Sequence, residues 1–413
     1  MKKVVITGAS TYGVKNMGDD AMLATLTQSI QRDYPDCEII FIARHPNLDY
    51  DKAFGFTSIK NLDHDSREAS LGRFFMGLNK GDDTANLKRI KQEIEEADLL
   101  VLGGNSFMEV SNNEFLRGVS SYSATLGLLA KFLGTPFALY GLNVVDPIEN
   151  ETTLAHAKFL CENATVVTVR EQSAYNNLEA TGVDMNNVMI LGDPAFGIWP
   201  EYDADYARSV LARENITLPN GPIIGANYRH EYWVRSDEEF FAEAEKMANI
   251  LDNMIEDLGH PVLLIPNCTY TNANKWQDDR VVHDEVIKRM KHTNMIKQIK
   301  QDLSLFETYS LFQLVDMHLS NRRHSSIFAA LNNVPFLSFG SIFKGHMSPF
   351  LHDLGLEDQM AYMSEDTDLI RKKVLNTWNN RDSIKDTLSK NIAYLQQSAR
   401  SYLKHLVNSL VDI

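Results

Sequence analysis

At 413 residues the chain is long enough for two domains with separate cores, and 44% hydrophobic with 23% charged residues excludes disordered and fibrous classes. A net charge of −15 argues against a protein that coats nucleic acid, and it obliges any anionic substrate to find a locally positive pocket. Three cysteines without C-x-x-C spacing support neither a disulfide framework nor a cysteine zinc site, which points to the reducing cytoplasm.

No stretch approaches the ~18 uninterrupted apolar residues of a membrane span, so no transmembrane segment is expected. The apolar run after Lys3 stops at Gly8, too short for a signal peptide, and reads as a first β-strand over Val4–Thr7. A helix follows over Asp20–Arg32, where Met22, Leu23, Leu26 and Ile30 share one face. Further strands are predicted over Glu38–Ile42, Asp98–Leu102, Pro136–Tyr140, Thr165–Val169 and Val188–Leu191. Helices are predicted over Ser121–Phe132, Glu151–Leu160 and Ser173–Ala180. Near-continuous apolar strands separated by helices indicate a parallel sheet covered on both faces. The polar stretch from about 46 to 91 reads as an inserted excursion or a loop over a site.

A second series of strands is predicted over Ile223–Ala226, Pro261–Ile265, Val315–Leu319 and Pro335–Phe339. The helices between them are Asp237–Leu258, Asp278–Met290 and Ser325–Leu331. The junction falls in Trp199–Asn220, giving an N-terminal Rossmann-like domain over 1–200 and a C-terminal one over 201–413. The tail from about 367 is helical throughout and long enough to cross back to the first domain. Ligands of such sheets sit at the carboxyl ends of strands, at the point where strand order reverses. Candidate residues are therefore those that follow strand ends.

The first strand runs into Gly8–Ala21, where Gly8, Gly13 and Gly18 permit positive-φ turns and close approach of a ligand. Asn16 is either a polar contact or part of a tight connection, and Asp19 or Asp20 either caps the next helix or acts in the site. The loop matches neither a Walker A nor a G-x-G-x-x-G pattern, so no nucleotide cofactor is implied. Asp98–Leu102 leads to Gly103-Gly104-Asn105-Ser106, with backbone amides kept clear for a ligand, and Tyr140-Gly141 repeats the device. Arg170, directly after its strand, either faces a site or pairs with Glu171.

The strongest local signal is Ser320-Asn321-Arg322-Arg323-His324-Ser325 between a strand and a helix. Arginine supplies forked donors for carboxylate or phosphate, and histidine moves protons near neutral pH. One of the two arginines is expected to face solvent, and these strand-end side chains are expected to contribute little to the core. Gly13–Gly18 and Arg322–His324 are expected to face each other. Lys344, beyond the next strand end, again suits a phosphate.

Taken together, these residues resemble the polysaccharide pyruvyl transferase family. The resemblance is carried by Gly13-x-x-Asn16-x-Gly18-Asp19-x-Ala21, Gly103-Gly104 and Val169-Arg170-Glu171 with Ser173. Gly192-Asp193-Pro194-Ala195-Phe196, Arg322-x-His324-x-x-Ile327-Phe328-Ala329, Gly340 and Lys344 continue it in family order. It implies a GT-B-like fold of two doubly wound domains, with no cofactor and no required metal. The implied reaction moves a pyruvyl group from phosphoenolpyruvate to hydroxyls of a saccharide acceptor, lipid-linked or nucleotide-linked, in making a cell-surface polysaccharide. The product is a cyclic ketal, with release of phosphate. A transient contact with a membrane surface is compatible with such an acceptor.

The resemblance puts Asn16, Arg170, Arg322, His324 and Lys344 in the site. His324 becomes the acid/base, Arg322 and Lys344 the anion stabilisers, Arg170 and Asn16 the orienting groups, and Asp19 a reserve acid. Gly18, Gly103, Gly104, Asn105 and Arg323 complete the substrate contacts. The chain departs from the family pattern after the glycine pair, where Asn105 and Glu109 replace a third glycine and an aspartate. It departs again after Pro266, where Asn267 replaces a frequent histidine. Both departures bear on the acceptor side. The rival readings are a GT-B glycosyltransferase using a sugar nucleotide and a non-catalytic carbohydrate-binding relative.

Overall fold

The computed structural model describes residues 1–8, 15–62, 84–103, 106–107, 119–231, 235–269, 275–340 and 347–410. The chain forms two units. One comprises Met1–Val14, Asp19–Ile198 and Leu395–Ile413; the other comprises Lys15–Gly18 and Trp199–Tyr394.

The first unit is built on β1 (Lys3–Gly8), β2 (Glu38–Ala43), β3 (Thr57–Lys60), β4 (Leu99–Gly103), β5 (Ser106–Phe107), β6 (Phe137–Val144), β7 (Val167–Val169) and β8 (Val188–Ile190). The sheet order is β3-β2-β1-β4-β6-β7-β8, with β5 extending one side of β6. Every pairing is parallel, and β1 and β4 meet in register with Gly8 opposite Gly103. All five residues of β4 and all eight of β6 are buried, which is why their apolar runs are unbroken.

The second unit holds β9 (Ile224–Asn227), β10 (Val262–Leu264), β11 (Ile296–Gln298), β12 (Met317–Ser320), β13 (Phe336–Gly340) and β14 (Met360–Tyr362). Its order, β11-β10-β9-β12-β13-β14, is again wholly parallel. Strand order therefore reverses between β9 and β12, where Asn227 lies opposite Ser320. One core packs the first sheet around Leu100, Leu139, Leu160 and Val167. The other packs the second sheet around Phe240, Met247, Leu264 and Phe339.

Several expectations change. The stretch 46–91 is not wholly an excursion: helix Leu48–Phe54 and β3 complete the edge of the first sheet, and helix Thr84–Glu95 leads into β4. Residues 63–83 lie outside the described part. β3 and β11 escape the apolar pattern because they carry polar residues, Thr-Ser-Ile-Lys and Ile-Lys-Gln, and β14 because it is only three residues long, whereas the edge strand β8 keeps an apolar run. The first helix begins at Met17, so Asp19 and Asp20 occupy its first turn, where carboxylates suit the helix dipole, and neither is the cap.

The tail is three helices, Thr367–Asn379, Arg381–Arg400 and Tyr402–Asn408. Its last part differs from the 201–413 division by joining the first unit. Ser398 Oγ donates to Leu191 O at 2.8 Å, Arg400 Nε to Gly197 O at 3.1 Å, and Tyr402 OH to Gly192 O at 2.5 Å. The Gly192–Phe196 motif is thus a cradle for the tail. No helix of the described residues is long and apolar enough to cross a membrane.

Candidate functional site

The centre of the second unit's switch point is a carboxylate. Asp279 opens helix Asp279–Ile287 and is fully buried. Its Oδ2 accepts from Asn227 Nδ2 at 2.9 Å and from the backbone N–H groups of Asn267 and Cys268 at 2.9 and 3.0 Å. Its Oδ1 accepts from Arg322, with Nε at 3.0 Å and Nη2 also in contact. One carboxylate thus ties together the carboxyl ends of β9, β10 and β12. It also aims a guanidinium that is itself only 13% exposed. The Arg322 N–H donates to Ser320 Oγ at 2.9 Å, fixing the backbone as β12 turns into helix Arg323–Leu331.

A second cation stands beside the first. The backbone of Arg229, just past β9, is latched to Asn321 past β12: its N–H donates to Asn321 Oδ1 at 2.9 Å, and Asn321 Nδ2 donates to its carbonyl at 3.0 Å. The Arg229 side chain pairs with Glu231 at 2.9 Å. Burial lowers its pKa, the Glu231 carboxylate opposes that shift, and the nearby Arg322 charge adds to it. Beneath them the buried His283 accepts the Tyr228 N–H on Nε2 at 3.2 Å. Burial pushes His283 down to about 4, with Asp279 pulling up and Arg322 pushing down, so the ring is neutral near pH 7.

Lys15–Gly18 belongs to this unit through backbone bonds. Asn16 forms an antiparallel bridge with Cys268, Met17 N–H donates to Asn267 O at 2.9 Å, and Thr269 N–H to Lys15 O at 3.2 Å. The Lys15 ammonium pairs with Asp302. The positive φ expected of a glycine falls on Lys15, at 58°, whereas Gly18 has no positive φ. Gly18 has another reason to be glycine: a Cβ there would lie 2.0 Å from His324 Nδ1. The bare backbone makes room for the imidazole, so this part of the first loop does meet the Arg322–His324 element. Gly13 lies outside the described residues.

Neither arginine of the pair faces solvent as expected. Arg323 is 2% exposed and lies over the Phe350 ring at 5.5 Å. Asp279 draws in Arg322, and the Phe350 ring packs against Arg323.

In the first unit Gly103 ends β4, while Gly104 and Asn105 lie outside the described residues, as does Lys344 further along the chain. Asp19 is half-buried, and Asp20 is buried and accepts from Tyr50 OH at 2.7 Å. Arg170 is 4% exposed; its Nε donates to Gly141 O at 2.7 Å and its Nη1 lies 3.8 Å from Asp193. Gly141 does not follow a strand end. It sits inside β6 at φ 61°, at a register shift, where a Cβ would fall 2.7 Å from Pro194 Cγ. Arg170 therefore spans the β6 irregularity and the Asp193 turn.

Asp279, Arg229 and Asn227 were missed by the sequence reading, and Asn267 was noted only as a departure from the family pattern. Arg229 follows a strand end that was itself predicted, so the same rule applied at β9 would have found it. Asp279 reads from sequence as an ordinary helix-start aspartate.

The arrangement places two arginines and an imidazole at the carboxyl ends of β9 and β12, which suits an acid-catalysed reaction of a small dianion. Solved structures similar to this chain share its fold. The UDP-bound MnaA of S. aureus has TM-score 0.64 at 12% identity, covering 100% of this chain and 98% of that one. Anabaena HepE in complex with UDP-glucose has TM-score 0.63 at 12% identity, covering both chains fully. A UDP-GlcNAc 2-epimerase from Neisseria meningitidis has TM-score 0.60 at 11% identity over 99% of this chain and 100% of that one. At such identities the likeness shows the fold, two Rossmann-like parallel-sheet domains of GT-B type with a helical C-terminal tail. No curated protein matches the chain. The sequence profile of one family, described as polysaccharide pyruvyl transferase, matches residues 16–341, a span that contains Asn16, Arg170, Asp279, Arg322 and His324. The chain belongs to the polysaccharide pyruvyl transferase family.

Proposed function

We propose that this protein transfers the pyruvyl group of phosphoenolpyruvate to two hydroxyls of a saccharide, forming a cyclic ketal and releasing phosphate. The observation that carries the reading is the Asp279-anchored Arg322 beside Arg229, with His324 seated on Gly18, at one strand-order reversal. Phosphoenolpyruvate carries a carboxylate and a phosphate, and forked cations hold both while keeping the enol carbon in place.

In this reading His324 gives a proton to the methylene carbon, which becomes a methyl group. The adjacent carbon gains oxocarbenium character through the lone pair of its phosphate-ester oxygen, while the cations hold the carboxylate and phosphate in place. A saccharide hydroxyl attacks that carbon and returns its proton to His324. Phosphate then leaves with its oxygen, and a second hydroxyl closes the ring, its proton going to the departing phosphate. Asn16 orients a polar group from the Cys268 bridge, Lys344 supplies a further cation after β13, and Gly103-Gly104-Asn105 supplies backbone donors. Arg170 serves by shaping the β6 and Asp193 turns. Asp19 remains the reserve acid, Gly18 the seat of the imidazole, and Arg323 the support of the helix start.

The test is incubation of the purified chain with phosphoenolpyruvate and an acceptor mixture, following phosphate release and a mass gain of pyruvate minus water. Release of a nucleoside diphosphate from a sugar nucleotide, with no use of phosphoenolpyruvate, would overturn the reading.

A further inference from the structure

The loop after β10 holds polar atoms that the fold does not use. Asn267 is 1% exposed, and neither its Oδ1 nor its Nδ2 has a hydrogen-bond partner among the described residues. Two residues on, Thr269 is 4% exposed and its Oγ1 is likewise unmatched. Burying such groups without partners costs about 1–3 kcal/mol each. Their backbones are pinned on both sides: Asn267 N–H donates to Asp279, its carbonyl accepts from Met17, and Thr269 N–H donates to Lys15. The side chains therefore cannot swing out to water by moving the loop.

Their place is informative. β10 pairs with β9, the strand at which the order reverses, so its carboxyl end lies next to the switch point where ligands of such sheets bind. A single carboxylate separates Asn267 from the donor cation, because Asp279 takes the Asn267 N–H on Oδ2 and Arg322 on Oδ1.

The chemistry of the unmatched atoms selects the ligand. Ionised phosphoenolpyruvate offers acceptors only, so it can satisfy Nδ2 but never Oδ1. A saccharide hydroxyl both donates and accepts, and satisfies both ends of the amide and the threonine hydroxyl. We propose that Asn267, with Thr269, is the hydroxyl-binding edge of the saccharide acceptor site and selects which hydroxyls reach the enol carbon. This rests on the pyruvyl transfer reading above for the donor, not for the existence of the subsite.

The test uses the full chain with Asn267→Leu, which keeps the shape and removes both polar ends, and Thr269→Val as a second isosteric change. Because the amide is unmatched in the fold, Asn267→Leu should melt at the same temperature or a few degrees higher. Its phosphoenolpyruvate affinity, by calorimetry, should stay within about twofold of wild type. Binding of the methyl glycosides of glucose, galactose and mannose, followed by saturation-transfer NMR without donor, should weaken at least ~tenfold in each variant. A melting temperature lowered by several degrees in Asn267→Leu would show the amide to be matched within the fold and overturn the inference. So would a parallel loss of phosphoenolpyruvate affinity, equal glycoside binding by wild type and both variants, or no glycoside binding by wild type. Wild type that binds glycosides but not phosphoenolpyruvate would overturn the donor reading and leave the acceptor subsite standing.

Discussion

Arg322 and Asp279 divide two tasks between them: in the proposed reading the guanidinium holds the donor anion, and the carboxylate holds three strand ends together. Arg322→Ala should therefore do more than weaken donor binding. It leaves a fully buried carboxylate short of its cation, a loss of about 3–5 kcal/mol in comparable buried pairs. This replaces the expectation that strand-end side chains matter little for stability. Adding Asp279→Asn, which keeps one acceptor for the three donors on Oδ2, should recover part of the melting temperature while donor affinity stays lost. A single variant as stable as wild type would contradict the account. His324→Ala should behave differently, staying folded with near-normal phosphoenolpyruvate affinity while turnover drops roughly 10²–10⁴-fold. Near-normal turnover in a folded His324→Ala would move the acid role to Asp19.

The neutral buried histidines give a pH signature. Burial holds His283 near 4 and His318 near 3, both below the ~6.5 of an unfolded chain. Between those values the unfolded state binds more protons, so stability is full above about pH 6.5 and is lost as pH falls toward 4. His283→Gln cannot titrate there and should flatten the slope of unfolding free energy against pH over that window. An unchanged slope in denaturant titrations would rule His283 out as a source of acid sensitivity.

Among the elements, β6 shows how a local irregularity is made and used. Its eight residues pass through Gly141 at positive φ, and the resulting shift turns a carbonyl toward Arg170 and opens space for Pro194. Gly141→Ala combines a disfavoured backbone with a 2.7 Å clash, and should cost at least ~1–3 kcal/mol with loss of the Arg170 contact. Calorimetric melting measures it, and an alanine variant within about 0.5 kcal/mol of wild type would show the strand relaxing freely. By contrast, helix Asp237–Leu258 has the boundaries that sequence predicts. Ser236 and Glu239 form a reciprocal capping box and Gly259 closes the other end at φ 69°. Both signals are local, which is why they are readable without a fold.

For the whole molecule, the tail is the least obvious connection. Leu395, Ala399, Tyr402, Leu403 and Leu406 are all buried with the first unit. At about 1.5–3 kcal/mol per large apolar side chain, removing them takes away a sum comparable to the ~5–15 kcal/mol that keeps a domain folded. A chain ending before Leu395 should lose the cooperative melting of the first unit rather than merely shift it. A truncated protein with unchanged transitions by scanning calorimetry would show the tail to be ornamental.

The sequence by itself determined the two parallel, doubly wound sheets, because central strands covered on both faces must be apolar throughout, and it marked the family through spaced glycines and strand-end charges. It also singled out Arg322 and His324, since a charged run after a buried strand is visible without coordinates. The edge strands β3, β11 and β14 were hidden because they are short and β3 and β11 carry polar residues, whereas the edge strand β8 keeps an apolar run that sequence shows. Tertiary structure alone decided the partners. Asp279 is separated from Arg322 by more than forty residues of chain, and nothing local distinguishes it from a helix cap. Gly18 reads as a turn glycine until His324 is packed against it. A pattern in sequence reports what each residue needs, while the fold decides which distant residue meets that need.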